Sequence, residues 1–247
     1  MCGFLLVSPF MEVEGMELAF EGVNIRRGSI DIRISGRFVP GIHLVSGMVG
    51  SGKSTIAAVA AGLLAPTGGH IKKSGVNTTM LSFQFPEWAL TEKTLGEEVS
   101  SYGLEVAGIL ARAGLSGREG DDPLSLSRGE LKKLNLACVL AKAWDLLVLD
   151  EPFGALDCEG KREVCRWIES KRSSIVILCT HEQHILPRID ALWEFQGHQL
   201  VFRGLVPGAL ADWTLAAPGL KALVARGIIP ANISERDLRE AACRIRD

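Results

Sequence analysis

A glycine-rich loop between a short apolar run and an alanine-rich segment constrains this chain more than any other feature. The apolar run covers residues 42–45, and the alanine-rich segment covers residues 54–64. The loop consists of Gly47, Met48, Val49, Gly50, Ser51, Gly52, Lys53, Ser54 and Thr55. It fits the pattern G-x-x-x-x-G-K-[ST] and lies where that pattern requires, after a strand and at the start of a helix. The sequence therefore predicts a loop that binds the phosphates of a nucleotide.

Each residue type in this loop has a physical reason to be there. Glycines allow successive backbone N–H groups to curl around phosphate oxygens, and the following helix adds the positive end of its dipole. Lys53 is expected to reach the β- and γ-phosphate oxygens, and Ser54 to offer its hydroxyl to Mg²⁺. The loop by itself indicates nucleotide binding only, because many unrelated activities share it.

Two adjacent carboxylates follow a second apolar run. Residues 146–149 are apolar and lead directly into Asp150 and Glu151. In an open parallel sheet, ligands bind at the carboxyl ends of the strands, so both acids are expected beside the phosphate loop. Asp150 is then placed to hold the Mg²⁺ shell, and Glu151 to orient and deprotonate an attacking water. An acidic pair at a strand end is common, and only its pairing with the loop makes the catalytic interpretation the favoured one.

Short apolar segments alternate with helical patterns along the chain, which predicts an α/β fold with a mainly parallel sheet covered on both faces. The predicted strands are residues 16–20, 30–34, 42–45, 79–83, 146–149 and 175–179. Helices are predicted at 54–64, 127–143 and 159–171, with two more after Pro218 and Ser234. Residues 87–125, which contain several glycines and no long apolar run, indicate an inserted helical subdomain.

Composition limits the other classes of partner. The 27 basic and 29 acidic residues nearly balance, with a net charge of −2, so no nucleic-acid-binding surface is indicated. The six cysteines form no C-x-x-C pair, which favours free thiols in a reducing cytoplasm. The sequence has no signal-peptide pattern and no stretch of about 18 apolar residues. We therefore expect a cytoplasmic protein that reaches a membrane only through partner proteins.

At residues 126–130, Leu-Ser-Arg-Gly-Glu, the chain begins to resemble the ABC ATPases. This segment is similar to their signature L-S-G-G-Q/E and precedes an apolar and basic helix. The resemblance implies that Ser127, Arg128, Gly129 and Glu130 close on the ATP that is bound to the opposite subunit. Arg128 departs from the usual glycine. Taken alone, Ser127 with Glu130 three residues later also fits an ordinary helix cap with no further function.

Three single residues extend the resemblance. Gln84 matches the glutamine that senses Mg²⁺ and the transport partner, and His181 matches the switch histidine that contacts the γ-phosphate. Asp157, in Gly-Ala-Leu-Asp, matches the residue that contacts the partner subunit's phosphate loop. Without the family pattern, a glutamine at a strand end is merely polar, and a lone histidine is more often structural. His184 has no matching role and is expected in solvent or in the core.

The family usually stacks the adenine of ATP on a tyrosine upstream of the phosphate loop, but the single tyrosine here is Tyr102. Phe20 lies at about the right distance to take that role, and a core position fits it equally well. The resemblance thus implies ATP and Mg²⁺ as cofactors, with Ser54, Gln84 and Asp150 around the metal. It also implies Lys53, Glu151 and His181 as the catalytic residues.

The outer parts of the chain resemble one subgroup, the energy-coupling-factor ATPases of vitamin, cobalt and nickel uptake. The similar segments are residues 83–87 and the tail 217–238. The fold implied is that of an ABC ATPase, a P-loop NTPase with an N-terminal antiparallel β subdomain and an inserted helical subdomain. Its expected limits are an extension at 1–15, an ATPase domain at 16–212 with the helical part at about 87–143, and a helical tail at 213–247. The implied function is the motor of an importer.

The resemblance implies a dimer, homo- or heterodimeric, coupled to transmembrane subunits. One alternative is a non-transport ABC ATPase of DNA repair or ribosomes, although these usually carry a coiled-coil insertion or a second cassette. Another is a regulatory module that binds ATP with little hydrolysis, which Arg128 keeps open. A generic P-loop kinase or GTPase gives no reason for the elements at Ser127 and His181.

Overall fold

The computed structural model describes residues 15–27 and 30–244 of the chain. The strands are β1 (Glu17–Arg27), β2 (Ile30–Phe38), β3 (Gly41–Ser46), β4 (Gly68–Ser74), β5 (Thr79–Ser82), β6 (Leu146–Asp150), β7 (Ile175–Thr180), β8 (Ala191–Gln196) and β9 (Gln199–Leu205). The helices are α1 (Lys53–Ala61), α2 (Leu95–Ser101), α3 (Val106–Ala113), α4 (Arg128–Ala141), α5 (Cys158–Glu169), α6 (Pro218–Val224) and α7 (Glu235–Cys243). The predicted extension at 1–15 lies outside these ranges except for residue 15, and so does Cys2, one of the six cysteines.

The described strands form one sheet in the order β4-β1-β2-β9-β8-β3-β7-β6-β5. Its centre is parallel: β3 lies between β8 and β7, and β6 lies between β7 and β5. Every residue of β3, β6 and β7 is buried. Strands covered on both faces need continuous apolar runs, which is why these three were recognisable in the sequence. The predicted α/β fold with a mainly parallel core is confirmed.

Side chains alternate between the two faces along each central strand and so divide the core in two. On one face Ile42, Leu147 and Val176 pack against α4 and α5. On the other face Val45, Val148 and Ile177 pack against α1 and the antiparallel strands. A separate apolar cluster lies within the helical insertion, between α2, α3 and α4. Each fully buried aliphatic side chain contributes roughly 1.5–3 kcal/mol of hydrophobic free energy.

The antiparallel strands belong to the same sheet as the parallel core. β1 pairs with β2 and β4, and β8 pairs with β9. β2 and β9 then join in parallel at Arg33 and Ile34. The sequence prediction did not include β4, β8 or β9. β4 contains two glycines and two lysines at the sheet edge, so its sequence has little apolar content to recognise.

Several element ends differ from the prediction. β1 runs to Arg27, where the sequence predicted an end at residue 20, because a bulge between Phe20 and Val23 lets the strand continue. α1 ends at Ala61, where the prediction continued to residue 64, because Gly62 caps it in the left-handed region. α4 and α5 lie within one or two residues of their predicted bounds.

The tail after residue 212 packs against the sheet. The Trp213 indole donates a hydrogen bond to the Ser46 hydroxyl, at the last residue of β3 (3.1 Å). Asn232 exchanges hydrogen bonds with the backbone of Ile189. Arg162 on α5 pairs with Glu235 at the start of α7. Within the described ranges, the helices are all too short or too polar to cross a bilayer.

Candidate active site

The phosphate loop leaves the start of α1 open. Gly52 precedes the helix with φ 110°, in the left-handed region, and no side chain caps the first turn. The first N–H groups of an α-helix have no partner within the helix, so those of α1 point into the loop as donors for an anion. A Cβ on Gly52 would collide with the Ile32 side chain. The left-handed conformation favours glycine there, and a larger residue would also require the Ile32 side chain to move.

Lys53 lies buried at the centre of this loop. Its ammonium donates hydrogen bonds to the carbonyl oxygens of Gly47 (2.9 Å) and Met48 (3.1 Å). The same nitrogen is 3.3 Å from Oε1 of Glu151 at the end of β6. The sheet order places β3 and β6 on either side of β7, which brings the two strand ends together. The lysine and the catalytic carboxylate predicted from sequence thus share one site.

Asp150 presents oxygen to the same place. Burial raises the pKa of its carboxyl group, and a hydrogen bond with Ser54 acts in the opposite direction. Its buried Oδ1 has no hydrogen-bond partner among the described residues. An unpaired buried carboxylate oxygen beside a hydroxyl fits a hard cation such as Mg²⁺, which prefers oxygen ligands. Mg²⁺ is usually bound by one or two protein oxygens together with substrate phosphates and water, so Asp150 and the Ser54 hydroxyl fit this metal. The described residues include no cluster of three His, Cys, Asp or Glu side chains.

Glu151 is held in place by the neighbouring strand β7. Its backbone has φ 46°, and its N–H donates to the Cys179 carbonyl oxygen (2.8 Å). The carboxylate accepts hydrogen bonds from the Thr180 hydroxyl (2.9 Å) and the His181 N–H (3.3 Å). Nδ1 of His181 lies 2.8 Å from Oε1. Hydrogen bonds thus fix this carboxylate from two directions, which is the geometry that a general base at this position would need.

These groups surround a cavity of about 300 Å³. Its lining consists of Ile32, Val49, Gly50, Gly52, Lys53, Ser54, Thr55, Gln84, Glu151 and His181. The structure therefore brings together residues that come from five separate parts of the sequence. Asp150 reaches the site through its contact with Ser54.

The predicted signature residues do not line this cavity. Ser127 caps α4, and with Glu130 it forms a capping box: Ser127 Oγ accepts from the Glu130 N–H (3.3 Å), and Glu130 Oε2 accepts from the Ser127 N–H (2.9 Å). Ser127 and Arg128 are exposed. Asp157 caps α5 by accepting from the Gly160 N–H (2.7 Å). Each motif therefore caps a helix of its own chain. The predicted contacts, with ATP for the signature residues and with a phosphate loop for Asp157, would have to be made to another subunit.

A family profile described as ABC transporter matches residues 40–154, which include the phosphate loop, Gln84, the signature turn and both carboxylates. The energy-coupling factor transporter ATP-binding protein EcfA1 of Thermotoga maritima is 33% identical over 184 residues, covering 66% of this chain and 71% of its own. A putative ABC transporter ATP-binding protein of Pyrococcus horikoshii is also 33% identical, over 69% of this chain and 75% of its own.

The chain belongs to the ABC transporter ATP-binding proteins. As a member of this family it binds ATP and is an ATPase. The match to EcfA1 confirms the predicted resemblance to energy-coupling-factor ATPases. The structure of cbiO1 from Clostridium perfringens, described as part of the complex cbiONQ, has the same fold with a TM-score of 0.61. It is 21% identical to this ABC ATPase and covers 84% of this chain and 98% of its own.

Phe20 does not have the adenine-stacking role considered for it in this ABC ATPase. Its side chain is only 2% exposed, and its ring packs edge-to-face against Phe38 with centroids 5.8 Å apart. It belongs to the apolar core between β1, β2 and α1. The distance of a residue from the loop in sequence does not specify which face of a strand it occupies, and here the face is the buried one.

Sequence reasoning missed a basic residue next to the ATPase site. Lys132 on α4 is 1% exposed, and its ammonium donates to the carbonyl oxygens of Phe83 (2.8 Å) and Gln84 (3.0 Å). Burial lowers the pKa of Lys132 to about 8, while the nearby carboxylates Asp150, Glu151 and Glu87 act in the opposite direction. In sequence, Lys132 is one of two adjacent lysines on a helix, a pattern that usually indicates a solvated face.

A second missed element stabilises the segment around His181. Burial opposes ionisation of Glu182, but hydrogen bonds from Lys161 and from the N–H groups of Gln183 and His184 hold its pKa at about 2. Lys161 lies on α5, so the ion pair between Lys161 and Glu182 connects the histidine segment with the helix that Asp157 caps. His184 itself is exposed, in agreement with the solvent position allowed for it.

Proposed function

We propose that this ABC ATPase is the motor subunit of an importer of the energy-coupling-factor type, which takes up a metal ion or a vitamin. The observation that carries the proposal is the similarity to EcfA1 over 71% of that protein. EcfA2 of the same organism is 28% identical over 86% of its length, which supports the same subgroup. The cbiO1 structure, which has the same fold, belongs to a multi-subunit complex. The motor would act at the cytoplasmic face of the membrane through its partners.

In the proposed reaction, MgATP occupies the cavity with its phosphates on the N–H groups of the loop. Lys53 would bind the β- and γ-phosphate oxygens, and Ser54, Gln84 and Asp150 would hold the metal. Bound Mg²⁺ neutralises charge on the phosphates. Glu151 removes a proton from the attacking water, and His181 contacts the γ-phosphate. The hydrogen bonds from Thr180 and His181 support this role because they orient the Glu151 carboxylate.

A second ATPase subunit would complete the site, in a homo- or heterodimer. Ser127, Arg128 and Gly129 lie at the exposed start of α4 and are absent from the lining of the cavity. The start of a helix is an anion site, so this turn could cap the γ-phosphate of ATP bound to the opposite copy. Asp157 would contact the partner's loop. Only a difference in affinity between ATP and ADP for the closed and open dimers can then drive the membrane subunits.

A surface beside Gln84 supports the coupling to transmembrane subunits. Trp88 is 70% exposed and packs against Phe85, itself partly exposed. Close by, a groove of about 570 Å³ is lined by residues of 87–93 and 122–124, including the exposed Leu124. Large apolar side chains grouped on a surface indicate a protein contact. A helix of a transmembrane subunit placed there would touch the segment that carries Gln84.

The variant Glu151→Gln tests the motor mechanism. Glutamine keeps the size of the side chain and can accept a hydrogen bond from Thr180, but it cannot take a proton from water. We expect ATP binding to persist, ATP turnover to fall by roughly 10²–10⁴-fold, and an ATP-dependent dimer to accumulate. Phosphate release and the ATP-dependent change in mass by light scattering are the measurements. Glu159→Gln, at an exposed position on α5, is the matched control.

Rapid turnover by Glu151→Gln would contradict the assignment of the base, and a monomeric variant at saturating ATP would contradict the dimer. Co-purification from membranes tests the importer separately. If the wild-type chain hydrolyses ATP but no transmembrane protein co-purifies with it, the ATPase stands and the importer proposal fails.

A further inference from the structure

We propose that Lys132 is a positioning residue that ties the signature helix α4 to the main chain of the segment carrying Gln84. The inference deepens the proposed function and rests on it, because the coupling matters only if Gln84 responds to a membrane partner. The tie consists of one ammonium and two consecutive carbonyl oxygens, those of Phe83 and Gln84, at 2.8 and 3.0 Å.

A buried lysine requires such partners. Removing an ammonium from water costs several kcal/mol unless hydrogen bonds and opposite charges offset the loss. Lys132 is almost fully buried, whereas Arg128 in the first turn of the same helix is exposed and does not meet this cost. Its immediate neighbour Lys133 instead pairs with Glu163 on α5. The two lysines therefore make different connections from the same helix, and only Lys132 points at the ATPase site.

A second contact fixes the same strand end to α4. The Ser82 hydroxyl donates to the Asn135 side-chain oxygen at 3.1 Å. Residues three apart lie on the same face of a helix, so Lys132 and Asn135 face the end of β5 together. The three consecutive residues 82–84 are thus attached to one face of α4. No other hydrogen bond connects the main-chain oxygens of Phe83 and Gln84 to α4 in the described part of the chain.

The helix that Lys132 holds begins at the signature turn. Ser127 caps α4 five residues before Lys132, and a helix of this length moves as a rigid body. A displacement of residues 83–84 would therefore be passed to Ser127, and closure of the Ser127 turn on ATP would be passed back to Gln84. Glu87 and Arg128 are only 3.9 Å apart at a solvent-exposed position and provide a weak second link.

The test compares three substitutions at position 132 with one at the adjacent lysine. Lys132→Met keeps the length and apolar stem but removes the donors, Lys132→Gln shortens the donor, and Lys132→Arg keeps a charged donor. Lys133→Met is the matched control. For Lys132→Met we expect kcat for ATP to fall about tenfold while KM changes less than twofold, since the phosphate loop is untouched. Lys132→Arg should keep at least half of the wild-type kcat.

Hydrogen exchange gives a readout that loss of overall stability would not mimic. Amides in residues 83–90 should exchange about tenfold faster in Lys132→Met, with those of the phosphate loop unchanged, and Lys133→Met should match the wild type in both regions. If Lys132→Met does not fold, Lys132→Gln is compared with Lys132→Arg, again by kcat and by hydrogen exchange of residues 83–90. Wild-type kcat in Lys132→Met, or an equal loss in Lys133→Met, overturns the proposal. If no membrane partner is found, the importer proposal fails. The hydrogen-exchange measurement would still support or refute the proposed connection between Lys132 and residues 83–84.

Discussion

His43 makes the stability of this protein depend on pH in a way that can be measured. Its ring is buried at the third residue of β3, where Nε2 lies 2.8 Å from the Val39 carbonyl oxygen. On the other side, the Trp193 indole N–H donates to Nδ1 at 3.2 Å. The two contacts require the neutral tautomer with its proton on Nε2. A second proton on Nδ1 would face the indole N–H and lose that hydrogen bond.

Burial lowers the pKa of His43 to about 4, and the Val39 hydrogen bond and the Asp190 charge only partly oppose it. In the unfolded chain a histidine has a pKa of about 6.5. A group with a lowered pKa in the folded state stabilises the fold above its unfolded pKa, and the contribution is lost as pH falls from 6.5 toward 4. A difference of about 2.5 units at about 1.4 kcal/mol per unit makes the full effect about 3 kcal/mol.

The perturbation is His43→Gln, which removes the titration and keeps one donor and one acceptor. Urea unfolding followed by tryptophan fluorescence gives the free energy of unfolding from about pH 7 to about pH 4. The other titrating groups are common to both proteins, so the difference between the curves isolates His43. We expect the wild type to lose about 3 kcal/mol more than the variant over this range. Parallel curves would refute the assignment of a buried neutral histidine.

Two substitutions, at Gly129 and Leu149, test the packing around the site, and a third at Leu63 is the control for Leu149. A Cβ on Gly129 would lie 2.7 Å from the Ala155 carbonyl oxygen, so Gly129→Ala should cost about 1–3 kcal/mol of unfolding free energy and lower ATP turnover, as measured by urea unfolding and phosphate release; an unchanged variant would show that this contact yields freely. Leu149→Ala, beside Asp150 and fully buried, should cost about 2–5 kcal/mol, whereas Leu63→Ala at an exposed position should stay within about 0.5 kcal/mol. Equal losses in the two leucine variants would contradict the described core.

The central strands were predictable because burial on both faces forces a continuous apolar run, as in residues 146–149 and 175–179. The phosphate loop was predictable because its glycines and Lys53 are required by local geometry. The hairpin of β8 and β9 was not, since its sequence mixes charges such as Glu194 and Arg203 with apolar residues. Those charges pair with each other inside the fold, a compensation that appears only in three dimensions.

The site shows the same division. That Asp150 and Glu151 meet the loop followed from the rule that parallel strands end at one edge. Thr180 and His181 bind the Glu151 carboxylate because β7 lies beside β6 in the sheet. The sequence does not specify this strand order, so the contact was not predicted. Phe20 failed as an adenine contact because a bulge and a buried face override a distance counted along the chain. Lys132 escaped notice because a buried lysine and a solvated one look alike in sequence.

The hydrogen bond from Trp213 to Ser46 has a practical consequence for anyone who wishes to shorten this protein. Ser46 immediately precedes Gly47, so the tail contacts the residue from which the nucleotide loop begins. Thr214 and the Leu215 N–H also bind Glu194, whose strand neighbour Phe195 lies against Gly47. A fragment cut at residue 212 would leave a serine hydroxyl and a buried carboxylate without these donors. A shortened protein that ends at residue 212 would therefore lack contacts that support the nucleotide loop.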